Sequence, residues 1–223
     1  MQSRPAAERR EDLVALYREA SQCVRCPLNQ GRTNVVFGNG NADADLMFVG
    51  EAPGHHEDVQ GLPFVGRAGR LLDQLLEEIG LSRNDVFVAN VLKCRPPGNR
   101  DPEPDEIDTC KPYLHRQIDL IEPKVICTLG NFAGKLLTRS NRGITSVHGR
   151  PQVHELGGRA VRVYPLYHPA AALRSTNTLA QLREDFARLP ALLEEPPPVP
   201  IGAVAPVALA TAEPEPPQMD LFA

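Results

Sequence analysis

A chain of 223 residues, 42% of them hydrophobic, is long enough to bury one sizeable core with appendages. No run of about eighteen apolar residues occurs, and the charged start MQSRPAAERRED leads into no apolar segment, so neither a membrane span nor a signal peptide is expected. All 24 basic residues but only 23 of the 28 acids lie before Pro190, so the formal charge of −4 belongs to the tail and the near-neutral body neither demands nor excludes nucleic acid.

In chain order, Leu13, Leu16, Tyr17 and Ala20 recur at helical spacing and lead into the knuckle Cys23-x2-Cys26. The run LMFVG predicts a strand over 46–50. Leu71, Leu72, Leu75, Leu76 and Ile79 predict a helix over about 67–79 with Gly80 as its C-terminal cap. VFVANVL predicts a second strand over 86–92. The loop CRPPGNRDPEPDE then opens a helix of about 105–121 that carries Ile107, Cys110, Leu114, Ile118 and Ile121. KVICTL predicts a third strand over 124–129, followed by a short helix near 131–138. Two extended stretches over 152–166 around Gly157-Gly158 read as a hairpin ending in VYPLYHP, and a last helix covers about 177–189. Strands alternating with helices, each strand apolar on both faces, argue for an α/β fold with a parallel sheet between two helical layers.

From Pro190 to Ala223 there are nine prolines, no Lys or Arg, and five acids (Glu194, Glu195, Glu213, Glu215 and Asp220). Such a segment cannot bury enough apolar surface to order itself, so a domain over 1–190 and a disordered tail over 191–223 are expected.

Five cysteines in a chain read as cytoplasmic point to metal or redox chemistry before disulfides. Cys127 sits inside an apolar strand and reads as a buried small hydrophobe. Cys23 with Cys26, and Cys94 with Cys110, form two pairs. Prolines beside Cys26 and Cys94 suit loops whose N–H groups donate to metal-bound sulfur. Four thiolates suit tetrahedral zinc or a [4Fe-4S] cluster, and spacing leaves both open with zinc slightly ahead.

The stretch GEAPGHH over 50–56 stands where a dinucleotide fold would place its phosphate loop. It lacks G-x-G-x-x-G, carries a proline inside the turn, and its next helix is expected some ten residues on, all of which disfavour a phosphate cradle. What remains is the carboxylate of Glu51 at the C-terminal end of the first parallel strand, where open α/β sheets place ligands. Asn90 toward the end of the second strand and His168 just after VYPLY are expected to converge with it on one crevice. Phe64, on the glycine-punctuated loop GLPFVGRAGRLL, reads as a core plug or a stacking face.

The segments GEAPG, GLPFVGRAGRLL, VFVANVLKCRPPGNRDPEPDEIDTCKPYL, VICTLGNFA and YHPAAALR, in that order over roughly residues 10–190, resemble the family 4 uracil-DNA glycosylases, the iron–sulfur branch. The resemblance implies a uracil-DNA glycosylase-like three-layer α/β/α fold around a mostly parallel four-stranded sheet. It implies that Cys23, Cys26, Cys94 and Cys110 bind a structural [4Fe-4S] cluster, against the spacing-based preference for zinc. It implies a pocket in which Phe64 stacks on the flipped uracil, the Asn90 amide bonds its edge and Glu57 lies near C5. His168 would stabilise charge at O2 as a neutral donor, and Glu51 would orient the attacking water. Ala52 stands where the best-known uracil glycosylases carry their water-binding Asp, so Glu51 reads as a positioning group before a proton acceptor. The loop from Cys94 to Cys110 lacks the basic, His-containing insertion of a related covalently bonding branch, so hydrolytic turnover is expected.

Leu173 and Arg174, just after His168, read either as a wedge at the vacated base and a phosphate contact or as a buried Leu and a solvated Arg at a helix start, and Arg67 and Arg70 near a helix N-terminus are similar candidates for positioning the DNA backbone. Gln218, Met219, Asp220, Leu221 and Phe222 resemble the bacterial sliding-clamp binding motif. The expected protein is thus a cytoplasmic, nucleoid-associated monomer that removes uracil from single- or double-stranded DNA. The competing readings are a non-enzymatic metal-cluster module for DNA binding or redox, and a nucleotide-binding protein.

Overall fold

A computed structural model describes residues 4–198; the tail pentad Gln218 to Phe222 lies outside the described residues. In chain order the elements are α1 (Ala6–Ser21), β1 (Asn39–Gly40), β2 (Leu46–Gly50), α2 (His55–Gln60), α3 (Arg67–Glu78), β3 (Val86–Asn90), α4 (Pro104–Ile121), β4 (Val125–Leu129), α5 (Asn131–Thr138), α6 (Ile144–Val147), β5 (Gln152–Leu156), β6 (Arg159–Leu166), α7 (Pro169–Ala172), α8 (Thr176–Ala187) and α9 (Leu189–Glu194). Among the described residues no helix is long and apolar enough to cross a membrane.

The strands form one sheet in the order β1-β3-β2-β4-β6-β5. Its inner four, β3-β2-β4-β6, are parallel, as expected. The sheet has six strands and not four because β1 and β5 add antiparallel edges. β5 is the first arm of the expected hairpin, closed by Gly157 and Gly158 at φ 61° and 69°, the left-handed pair that a two-residue turn needs. The two-residue β1 carries no apolar alternation that a sequence reading could detect.

Alternate residues of the central strands face different cores, which makes the three layers. Met47, Val49, Phe87, Ala89 and Ile126 pack with α1, α4 and α5 residues such as Leu16, Leu114, Ile118 and Ala133. Leu46, Phe48, Val86, Val88, Val125 and Cys127 pack with Leu72, Leu75, Leu182 and Phe186 of α3 and α8 on the other face. Strands covered on both faces must be apolar throughout, and every residue of β2, β3 and β4 is buried. Each Val, Leu or Phe so buried contributes about 1.5–3 kcal/mol. Cys127 is a fully buried member of this core, as the strand context predicts.

The expected boundary at residue 190 falls inside a helix. α9 runs over Leu189–Glu194 and buries Leu192, and Arg162 binds the Glu195 carboxylate (2.9 Å) and the Pro196 carbonyl (2.6 Å). The apolar pair Leu189 and Leu192 supplies a packing face that overall tail composition conceals.

Candidate active site

The C-terminal ends of the parallel strands lie together. β2 ends at Gly50 opposite Asn90 of β3, and β4 ends at Leu129 opposite Leu166 of β6. Successive connections run to opposite sides of β2, which opens a crevice at this end of the sheet. A cavity of about 430 Å³ occupies it, lined among others by Glu51, Ala52, Glu57, Phe64, Asn90 and His168. That volume is in the range of small-molecule sites. The residues expected to meet here from β2, β3 and the segment after β6 therefore do meet.

Two glycines allow the crowding. A Cβ on Gly50 would stand 2.7 Å from the Phe64 ring and closer still to the Asn90 side-chain oxygen. A Cβ on Gly69, in the first turns of α3, would overlap the Phe64 carbonyl. Phe64 itself has φ 53°, the left-handed region that a non-glycine residue enters at a cost. Glu57 and Arg83 hold it there: Glu57 Oε1 accepts from the amides of Val65 (3.0 Å) and Gly66 (3.1 Å), and Arg83 donates to the Phe64 carbonyl (2.8 Å). The Phe64 ring stacks toward His168 at 5.7 Å between centroids and 29° between planes. Glu57 thus braces the aromatic loop while it lines the cavity.

Asn90 is 2% exposed, and its Oδ1 has no hydrogen-bond partner among the described residues. A buried amide oxygen without a partner is costly unless a ligand completes it. His168 caps α7, and its Nδ1 accepts from the Ala170 amide (3.1 Å). That bond leaves the proton on Nε2 in the neutral ring. Burial pulls the His168 pKa down to about 4, so the ring is neutral at physiological pH. Glu51 lies at the rim of the core, and burial, then Asp101, push its carboxyl above the usual glutamate range. Its side chain has no hydrogen bond among the described residues.

The glycine loop after β2 runs into a helix sooner than expected: α2 begins at His55, immediately after Gly54. The six residues HHEDVQ carry too few apolar positions to show helical period, which is why the sequence reading placed the next helix near 67. The conclusion against a phosphate cradle stands on other ground, since the carboxylates of Glu51 and Glu57 line the space.

Sequence reasoning missed Ala68, Pro96, Asn99, Arg100 and Ala170, which complete the wall. Arg100 is held by a bidentate pair to Glu106 (2.9 and 2.6 Å), a buried residue that also accepts from the Glu103 amide and so closes the capping box of α4. The signal was present as Glu103-Pro104-x-Glu106, an N-cap, a first-turn proline and an N3 glutamate. Arg67 and Arg70, on the first turn of α3, and Arg174 are exposed, as is Leu173 at 41%.

On the far side of β3, Cys23 and Cys26 after α1, Cys94 in the loop after β3, and Cys110 on α4 line one cavity with Arg32, Lys93 and Tyr113. Among the described residues no three His, Cys, Asp or Glu side chains are gathered as ligands of a single ion. The four thiols line one cavity, and four thiolates in one place are the donor set of either tetrahedral zinc or an iron–sulfur cluster. Two sulfurs already receive donors, Cys94 from Arg32 (3.2 Å) and Cys110 from the Lys93 amide (3.2 Å). Such donors accompany metal-bound thiolates. The sequence pairing of these cysteines is thus brought into one site by α1 packing on α4.

The family profile described as the Uracil DNA glycosylase superfamily matches residues 37–189. A "Type-4 uracil-DNA glycosylase" of Sulfurisphaera tokodaii is 49% identical over 184 residues, covering 80% of this chain and 84% of that protein. The protein of the same name from Saccharolobus solfataricus is 47% identical over 191 residues, 83% of this chain and 88% of that one. Another from Thermotoga maritima is 47% identical over 168 residues, 74% and 86% of the two chains.

Proposed function

Because the chain belongs to the Uracil DNA glycosylase superfamily, we propose that it excises uracil from DNA by hydrolysing the N-glycosidic bond, leaving free uracil and an abasic site. The observation that carries this reading is the Asn90 amide, buried and with its oxygen unpaired, in a cavity that also holds a stacking ring, a neutral histidine and a carboxylate. Uracil offers an N3–H donor beside the O4 acceptor, which an amide matches with its oxygen and its NH2. Cytosine presents the opposite polarity, so the same amide would leave polar groups unpaired.

The base must leave the stack to enter the cavity, at a cost of about a few kcal/mol that is smaller for mispairs and single strands. Phe64 then stacks on one face of the ring, and Glu57, bracing the Phe64 loop, stands by C5, where the methyl of thymine would intrude. As the bond from N1 to C1′ breaks, the electron pair stays on uracil, and His168 Nε2–H donates to O2, where negative charge develops. Glu51 orients a water toward C1′. The water oxygen bonds to C1′ and its proton passes to solvent or to the departing uracil anion. Exposed Arg67, Arg70 and Arg174 contact phosphates, and Leu173 fills the space that the base vacates.

Cys23, Cys26, Cys94 and Cys110 would hold a [4Fe-4S] cluster. When bound, that group supplies a cross-link from the N-terminal helix to the loop beside the cavity. The tail motif Gln218 to Phe222 is proposed as a sliding-clamp anchor that raises the local concentration of enzyme at DNA.

The test is release of uracil from a uracil-containing oligonucleotide, scored by alkaline strand cleavage. Cleavage at the uracil position is expected, and none by folded, iron-loaded protein would reject the reading. Clamp binding that survived removal of residues 217–223 would reject the anchor.

A further inference from the structure

Lys93 is among the largest fully buried side chains of the protein, and its ammonium has no carboxylate partner among the described residues. A buried cation is expensive unless its donors are used, and here two of the three are. Nζ donates to the Asn90 carbonyl (2.7 Å) and to Gln117 Oε1 (2.6 Å), with the Phe37 ring 6.0 Å away. Gln117 is fixed in turn by its own donation to the Phe37 carbonyl (2.9 Å). The Lys93 backbone is equally committed, its amide to Cys110 Sγ (3.2 Å) and its carbonyl to the Val36 amide (2.8 Å).

Lys93 does not line the uracil cavity but does line the cysteine cavity. It therefore does not contact a base bound there, and its side chain reaches that cavity's lining through the Asn90 carbonyl. That residue is the last of β3. Beyond it the chain stays tied to β2 through the Val91 amide on the Gly50 carbonyl and the Leu92 amide on the Glu51 carbonyl. The strand end that carries the edge-reading amide thus also sets the backbone of Glu51. An unpaired amide oxygen has no bond of its own to hold it in place, so its aim depends on how firmly its backbone is held.

We propose that Lys93 is a positioning residue that locks the Asn90 strand end for uracil and ties it mechanically to the four-cysteine site. This rests on the proposed uracil excision. Gln117 is the second half of the lock, since without its acceptor the ammonium loses one of its two side-chain bonds.

The test uses full-length, iron-loaded protein carrying Lys93→Met or Gln117→Leu, each alone and combined with Asn90→Ala. Each single variant is expected to slow single-turnover uracil excision about 10- to 100-fold, with DNA affinity within about twofold of the parent. In the Asn90→Ala background the same changes should cost nothing further, because the group they aim is gone. Losses that multiply onto Asn90→Ala would overturn the proposal, as would a slowing that tracks iron content in both variants. Gln117→Leu lies off the cysteine loop and carries the test if Lys93→Met does not fold. Hydrogen exchange of the Val91 and Leu92 amides gives a readout without catalysis, expected to be about tenfold faster in either variant. Unchanged exchange would overturn the lock even if activity fell, whereas a parent protein that releases no uracil would overturn the excision reading alone.

Discussion

The two polar sites on either side of β3 differ in what they leave unpaired. In the strand-end cavity, Asn90 Oδ1 and the Glu51 carboxylate have no hydrogen-bond partner among the described residues, while the groups that aim their neighbours are engaged: Glu57 Oε1 on two amides, His168 Nδ1 on Ala170. In the cysteine site two of the four sulfurs already receive donors, from Arg32 and from the Lys93 amide, and the buried Tyr113 hydroxyl beside them has no hydrogen-bond partner among the described residues. A site that must bind and release a small planar molecule keeps its specific bonds open, and one that clamps two chain segments together closes them. The comparison teaches that the kind of group left open differs between the two sites: an amide oxygen and a carboxylate in the strand-end cavity, a hydroxyl beside sulfurs that already hold donors in the cysteine site.

Breaking the open site should have the largest effect. His168→Ala and Glu51→Ala should each lower the excision rate about 10²–10³-fold with little change in DNA affinity, measured by single-turnover kinetics and equilibrium binding. The pH dependence sharpens this. Burial holds His168 near pKa 4, so it donates as the neutral ring, and the ratio of parent to His168→Ala rates should stay flat from about pH 5.5 to 8. A ratio that fell as pH rose through about 6.5 would mean that the imidazolium is needed. Glu51 has its carboxyl raised by burial, so the rate should drop on acidification above the usual glutamate range, and Glu51→Gln should lose that acidic limb.

Next in size is selectivity. Asn90→Asp replaces a donor with an acceptor and should erode discrimination between uracil and cytosine, by about 1–3 kcal/mol or roughly 5- to 150-fold. Unchanged discrimination in a competition assay would refute the edge-reading role.

Breaking the closed site should cost stability before chemistry. Cys94→Ser should lose iron and lower Tm by about 10 °C, as expected for losing a cross-link of about 3 kcal/mol. Arg32→Ala, which removes one hydrogen bond to Cys94, should lower Tm by only about 2–4 °C with iron retained. Equal losses in the two variants would erase the distinction between ligand and supporting donor. The smallest effects belong to the rim. Arg67→Ala or Arg70→Ala should weaken DNA binding evenly across sequences and reduce the salt slope by about one, read from affinity against salt concentration.

Much of this was written in local pattern. The leucines of α3, the apolar runs of β2, β3 and β4, the Gly157-Gly158 hairpin and the placement of Glu51, Asn90 and His168 at strand ends follow from period and punctuation, because each depends on residues near in the chain. α2 and α9 escaped because short segments bury few side chains and so leave little periodic trace.

The sequence by itself determined the parallel α/β plan, the residues at its strand ends and the grouping of cysteines into pairs. Only the tertiary structure decided that the Asn90 oxygen is buried and unpaired, that Glu57 spends its carboxylate on the Phe64 loop, and that Lys93 stands between the two sites. Those facts depend on contacts between residues far apart in sequence, such as Lys93 with Gln117 and Gly50 with Phe64. Burial and hydrogen-bond satisfaction arise when layers pack, so no local pattern carries them.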